Sequence, residues 1–160
     1  MASITLGGNP ASTIGQLPQV GSQAPAFNLI DMNLERVSLQ DYAGSRIILN
    51  VFPSIDTGVC ATSTRKFNER AASLKNTKVV CVSKDLPFAF KRFCGAEGID
   101  NVVCLSDFAT GDFGKQYGLT MADTNLAGLH SRAVIILDET GKVIYTEQVS
   151  DIANEPDYEA

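Results

Sequence analysis

At 160 residues, with 44% apolar and 19% charged residues, the chain has the size and balance of one compact domain spanning residues 1–160. A net charge of −5 with scattered Lys and Arg excludes the basic footprint that nucleic-acid binding requires. No apolar run approaches the ~18 residues of a membrane span, and Met1 to Pro10 has neither a basic nor an apolar signal region, so a cytoplasmic location is expected.

In chain order, Ser3–Leu6 and Ser12–Ile14 flank the turn-rich tetrad Gly7-Gly8-Asn9-Pro10 and predict a small N-terminal hairpin. Gln16 to Pro25 reads as an extended crossing. Ala26–Ile30 and Glu35–Ser38 predict a second hairpin around Asp31-Met32-Asn33, followed by a helical turn over Leu39–Ala43. The pattern then alternates: strand Arg46–Phe52, helix Gly58–Leu74, strand Thr77–Ser83, helix Pro87–Ala96, strand Val102–Leu105 and a short helix over Asp112–Tyr117. Strands Ala133–Leu137 and Lys142–Val149 follow, joined by the turn signal Asp138-Glu139-Thr140-Gly141. Alternation followed by an antiparallel hairpin predicts an α/β fold of thioredoxin-like type, with a mixed central sheet, flanking helices and an added N-terminal β-hairpin. Glu155 to Ala160 reads as the first turn of a further helix, with Pro156 early and acids suited to the dipole. Either further residues complete that helix or its turn docks loosely.

Four cysteines stand at 60, 81, 94 and 104, and no C-x-x-C pair occurs, which argues against a structural zinc site or a C-x-x-C dithiol. Cys81 and Cys104 lie in strand-like apolar runs, where a free cysteine behaves as a small hydrophobe. Cys60 is different. Pro53 ends the strand before it, Thr57 and Gly58 can open the helix that carries it, and the first turn of a helix favours an anion. A free thiol is only ~3% ionised at pH 7, and becoming mostly thiolate takes roughly 3 kcal/mol. A helix end supplies up to ~1–2 kcal/mol, so a nucleophilic cysteine there calls for a second cationic partner.

Pro53-x-x-x-Thr57-x-x-Cys60 matches the active-site pattern of peroxiredoxins. The longer runs Phe52 to Cys60, Arg92 to Gly98 and Glu155 to Ala160 resemble the bacterial thiol peroxidase subgroup, which is of the atypical 2-Cys kind, and the likeness spans nearly the whole chain. Members usually continue several residues beyond Ala160. The resemblance implies that Cys60 is the peroxidatic cysteine, which attacks the O–O bond and becomes a sulfenic acid. It implies that the Thr57 hydroxyl bonds the thiolate and peroxide, that Pro53 shields the sulfur, and that Arg132 completes the pocket. Cys94 would be the resolving cysteine, closing an intramolecular disulfide. The implied partners are a hydroperoxide substrate, thioredoxin as reductant and a second copy in a homodimer; no cofactor or metal is implied.

Singly, each residue has a plainer role: Thr57 a helix cap, Pro53 a strand terminator, Arg132 a surface charge, Cys94 a helix-end packing residue beside Gly95. Their joint occurrence outweighs those roles. Phe88, Phe90, Phe93, Leu119 and Met121 are candidates for an apolar approach that suits alkyl hydroperoxides. A cysteine hydrolase would need a base, and His130 is the sole histidine. A non-enzymatic peroxide sensor or relay built on the Cys60–Cys94 bridge is the other alternative.

Overall fold

A computed structural model describes residues 3–6, 8–56, 58–71, 76–99 and 101–149. Its elements are β1 (Ser3–Leu6), β2 (Asn9–Ser12), β3 (Asn28–Ile30), β4 (Arg36–Ser38), a 3-10 turn (Leu39–Tyr42), β5 (Arg46–Val51), α1 (Gly58–Ala71), β6 (Thr77–Ser83), α2 (Pro87–Glu97), β7 (Val103–Ser106), α3 (Asp112–Gln116), β8 (Ala133–Leu137) and β9 (Val143–Gln148). Strands β3 to β9 form a seven-stranded sheet in the order β4-β3-β7-β6-β5-β8-β9, while β1 and β2 pair separately. The three central strands β5, β6 and β7 are parallel, and β3, β4, β8 and β9 add antiparallel edges. This is the mixed thioredoxin-like sheet expected from the alternating pattern.

The first hairpin departs from expectation. Its second arm begins at Asn9 rather than Ser12, because Leu6 pairs directly with Asn9. Gly8 has φ +86°, which suits a two-residue turn, and Pro10 is tolerated because a two-stranded ribbon offers an outer edge. The expected C-terminal helix over Glu155–Ala160 and the last residues of the first long helix lie outside the described residues.

Period-2 alternation splits the core across the sheet. Ile47, Leu49, Val51, Val80, Val82, Leu105, Ile135 and Leu137 join Phe27, Phe113, Tyr117 and Leu119 on one face. Val79, Cys81, Cys104 and Val134 face the other way, with Phe52, Cys60, Phe67, Phe90, Phe93 and Cys94. Helix α1 buries Cys60, Ser63, Thr64 and Phe67, a spacing that puts one stripe on the sheet. Helix α2 buries Pro87, Phe90, Phe93 and Cys94 and ends at Gly98, whose φ of 65° permits the left-handed cap.

On the first face Tyr117 stacks on Phe113 at 4.4 Å and donates its hydroxyl proton to the Pro25 carbonyl at 2.7 Å. Burial pushes that phenol well above its ordinary range. The next residue, Gly118, has φ +69°, and a Cβ there would stand 2.2 Å from the Gln16 carbonyl oxygen. Backbone cannot yield as a side-chain end would. Gly118→Ala is therefore expected to cost roughly 3 kcal/mol, from left-handed strain plus overpacking, read as a lower urea midpoint at unchanged m.

Candidate active site

The strand register explains how an arginine reaches Cys60. Val51, the last residue of β5, pairs with Ala133, the first of β8. Arg132 therefore lies beside Phe52, where the chain leaves β5 for the loop that enters α1. Two residues before Val134, it shares that residue's face of the sheet, the face covered by α1. Its Nη2 donates to Cys60 Sγ at 3.1 Å, and both residues are buried, at 1% and 0% exposure. A guanidinium cannot shed its proton, so once buried it stabilises a negative partner strongly. The Arg132 carbonyl accepts from Gln148 Nε2 at 3.1 Å and from the Val149 amide at 3.0 Å, which ties this stretch to β9.

Cys60 sits in the first turn of α1. The loop before it is fixed from β6. Asp85 accepts from the Ile55 amide at 2.7 Å, from Ser54 Oγ at 2.7 Å and from Ser83 Oγ at 2.5 Å. These groups gather at the C-terminal ends of adjacent parallel strands, where open α/β sheets place their sites. Pro53 is buried in this loop; Thr57 lies outside the described residues. Sequence reasoning did not single out Asp85, Ser54, Ser83 or Gln148. The Ser83-Lys84-Asp85 turn after a strand was the available signal for the first group, and nothing local marks Gln148.

Cys94 is brought not to Arg132 but to another thiol. Its sulfur lies 3.6 Å from Cys104 Sγ, with both residues buried. The contact with Cys104 lowers the Cys94 thiol from its ordinary range, against the opposing effect of burial. Cys104 is held well above the ordinary value, first by Cys81, then by Cys94 and burial. Helices α1 and α2 are joined over their surface by Arg65 with Glu97 and by Arg65 over the Phe93 ring at 5.6 Å. Arg92 of α2 also pairs with Asp56 of the loop before α1.

Two sequence expectations need correction. Leu119 packs into the opposite core face and Met121 packs against the N-terminal hairpin, so neither shares the cluster of Cys60; Phe90 and Phe93 do, and Phe88 is exposed. Their sequence distance from Cys60 says nothing about which side of a sheet a strand end reaches. His130 is likewise committed elsewhere. Its Nε2 lies 3.1 Å from Asp107 Oδ2, its ring meets Phe113 edge-on, and a Cβ on Gly114 would come within 2.5 Å of it. That placement removes the base a cysteine hydrolase would need. Two cavities, of about 390 and 360 Å³, are lined by other parts of the chain and include none of these thiols.

A buried sulfur at a helix start, facing a buried guanidinium at the strand ends of a thioredoxin-like sheet, defines a thiol-based redox protein rather than a hydrolase. The Redoxin family profile matches residues 19–160. The thiol peroxidase of Corynebacterium glutamicum is 54% identical over 160 residues, covering all of this chain and 96% of the relative. Those of Mycobacterium bovis and Mycobacterium tuberculosis are each 55% identical with the same coverage. A peroxiredoxin-like protein from Aquifex aeolicus superposes with a TM-score of 0.94 at 38% identity, over 99% of this chain and 92% of that one. The chain belongs to the Redoxin family, among its thiol peroxidases.

The contact between Arg132 and Cys60 yields a direct expectation. A hydrogen bond from a charged donor is worth about 1.5–3 kcal/mol, a factor of roughly ten to a hundred. Arg132→Met should slow alkylation of Cys60 by iodoacetamide at neutral pH by that factor, in a variant that retains its far-ultraviolet spectrum. Unchanged alkylation would mean that the guanidinium does not favour the thiolate.

Proposed function

We propose that the chain is one catalytic domain that reduces hydroperoxides with Cys60 as its nucleophile, at the expense of a thiol reductant. The observation that carries the reading is the 3.1 Å contact from Arg132 Nη2 to Cys60 Sγ inside a closed site. The Cys60 thiolate attacks one peroxide oxygen; the S–O bond forms as the O–O bond breaks, and the other oxygen leaves as an alcohol or water after taking a proton. Developing charge on the leaving oxygen is met by the fixed donors of Arg132 and of the α1 N-terminus, which need no reorganisation at that moment. Thr57 orients the peroxide through its hydroxyl, and Pro53 keeps bulk water from the sulfenic acid.

Cys94 then attacks the Cys60 sulfur, the S–O bond breaks, and hydroxide leaves as water, giving an intramolecular disulfide. Thioredoxin returns both sulfurs to thiols. Thioredoxin, a homodimeric assembly and a cytoplasmic setting are carried by the family resemblance. The apolar neighbours Phe90 and Phe93 support a preference for alkyl hydroperoxides over hydrogen peroxide. Cys60 faces Arg132 and Cys94 faces Cys104 from different helices, and on this reading the turn holding Cys60, the turn holding Cys94, or both open to bring their Cβ atoms within the ~4.5 Å of a disulfide.

Steady-state turnover with thioredoxin and its reductase tests the function. Cys60→Ser should abolish it, Cys94→Ser should leave under about a tenth, and kcat/KM should be higher for cumene hydroperoxide than for hydrogen peroxide. Stoichiometric oxidation without turnover would instead make the protein a sensor. Hydrogen exchange tests the opening: the disulfide form should lose protection over 58–70 and 88–98, and equal protection in both forms would exclude it.

A further inference from the structure

Asn50, Cys81 and Cys104 lie abreast on β5, β6 and β7, each paired with the next across the parallel ladder. All face the α1/α2 side. Asn50 Nδ2 donates to Cys81 Sγ at 3.6 Å, Cys81 contacts Cys104, and Cys104 contacts Cys94 of α2 at 3.6 Å. The catalytic reading uses Cys94 alone from this row. Yet its sulfur rests against Cys104, in a helix that is fully formed and packed.

We infer that Cys94 and Cys104 are a second redox pair, and that their disulfide is where the oxidation of Cys94 comes to rest. The distance leads there. A disulfide requires about 2.05 Å between sulfurs, so the contact need close by only about 1.5 Å. The closure joins α2 to the strand it already packs against, with Phe90 and Phe93 still buried and the Gly98 cap in place. A Cys60–Cys94 bridge, by contrast, takes Cys60 from Arg132 and Cys94 from Cys104, and on the proposed reading it keeps at least one helix end open. Of the two disulfides, one leaves the fold intact.

The route rests on the proposed reading of Cys94 as the resolving cysteine. Opening of the α2 turn to form the Cys60–Cys94 bridge uncovers Cys104, which is buried in the reduced fold. It then loses its proton to solvent, and its thiolate attacks the Cys94 sulfur of the Cys60–Cys94 disulfide. The Cys94–Cys104 bond forms, the Cys60–Cys94 bond breaks, and the electron pair departs on Cys60 as a thiolate facing Arg132. No net oxidation occurs. The departing Cys60 sulfur is met by the Arg132 guanidinium, which donates to it at 3.1 Å in the closed fold, whereas Cys104 faces the thiols of Cys81 and Cys94. Burial of Cys104 makes the step slow relative to a prompt external reductant, and it matters when reductant is scarce. Cys60 is then free but without its resolving partner, and a second peroxide leaves it as a sulfenic acid open to further oxidation.

Two measurements on the full chain test this. The first uses Cys60→Ser with oxidised glutathione, followed by alkylation and non-reducing peptide mapping. Cys94 attacks the glutathione disulfide, Cys104 displaces the bound glutathione, and a Cys94–Cys104 peptide should be the dominant disulfide. Stable glutathione on Cys94, or a Cys81–Cys104 bridge in its place, overturns the pair. The second treats the wild-type chain with one equivalent of peroxide and no reductant, sampling over time. The Cys60–Cys94 peptide should decline as the Cys94–Cys104 peptide and alkylatable Cys60 rise together, and Cys104→Ser should abolish the decline. A Cys60–Cys94 bridge that persists overturns the exchange. A Cys94–Cys104 peptide in the first measurement, with no Cys60–Cys94 peptide at any time in the second, upholds the pair and overturns the reading of Cys94 as the partner of Cys60.

Discussion

Burying a guanidinium costs several kcal/mol unless its charge is answered, and Arg132 is one of the most deeply buried large side chains in this chain. The sulfur of Cys60 stands 3.1 Å from it. A neutral thiol is a weak acceptor and compensates poorly; a thiolate compensates well. The remaining organisation of the site follows from holding these two groups together. The β5/β8 register delivers Arg132 to the strand end, Gln148 and Val149 fix its backbone, and Asp85 fixes the loop that launches α1. Each of these supports belongs to the sheet or its edges.

The helix carrying the sulfur is built differently. Its opening, Gly58-Val59-Cys60-Ala61-Thr62-Ser63-Thr64, is poor helix-forming sequence, roughly 3 kcal/mol less favourable than alanine over these two turns. Thr62 Oγ1 bonds the Gly58 carbonyl, and Ser63 and Thr64 both bond the Cys60 carbonyl. Such back-bonding offers the backbone alternatives to the helix and weakens it. The ion pairs joining the loop and α1 to α2 are exposed, so each adds little. The platform that holds the cation is thus rigid, and the start of the helix that holds the Cys60 sulfur is the weaker of the two.

The fold was largely legible because its signals are local. The run Arg46–Phe52, the span Thr77–Ser83 and the turn at Asp138 to Gly141 each carry their own periodicity or turn chemistry, and the structure has them within a residue. The N-terminal hairpin differs from its pattern because Asn9 and Pro10 look like turn residues, yet the pairing of Leu6 with Asn9 and Thr5 with Pro10 leaves them to the strand. The Pro53–Cys60 spacing and Arg132 could be read from the pattern they form together. The supports could not. Asp85 and Gln148 act through strand ends that meet only in three dimensions, and the face reached by Leu119 and Met121 depends on how the chain returns across the sheet after α3. Cys81 and Cys104 read correctly as buried strand residues, but no sequence pattern shows that parallel strands set them side by side.

That last juxtaposition bears on why the row is polar at all. Asn50 Oδ1 finds no partner among the described residues, and an unsatisfied buried acceptor costs about 1–3 kcal/mol. Valine or leucine across β5, β6 and β7 would pack the same face, as Val80, Val82 and Leu105 do on the other side, without that cost. A buried thiol pair adds nothing to packing that two small apolar side chains would not supply. What thiols alone can supply is exchange with a disulfide, were one to form at the adjoining Cys94. The polar row packs as core, and the inferred Cys94–Cys104 pair would give it a use that an apolar row could not have.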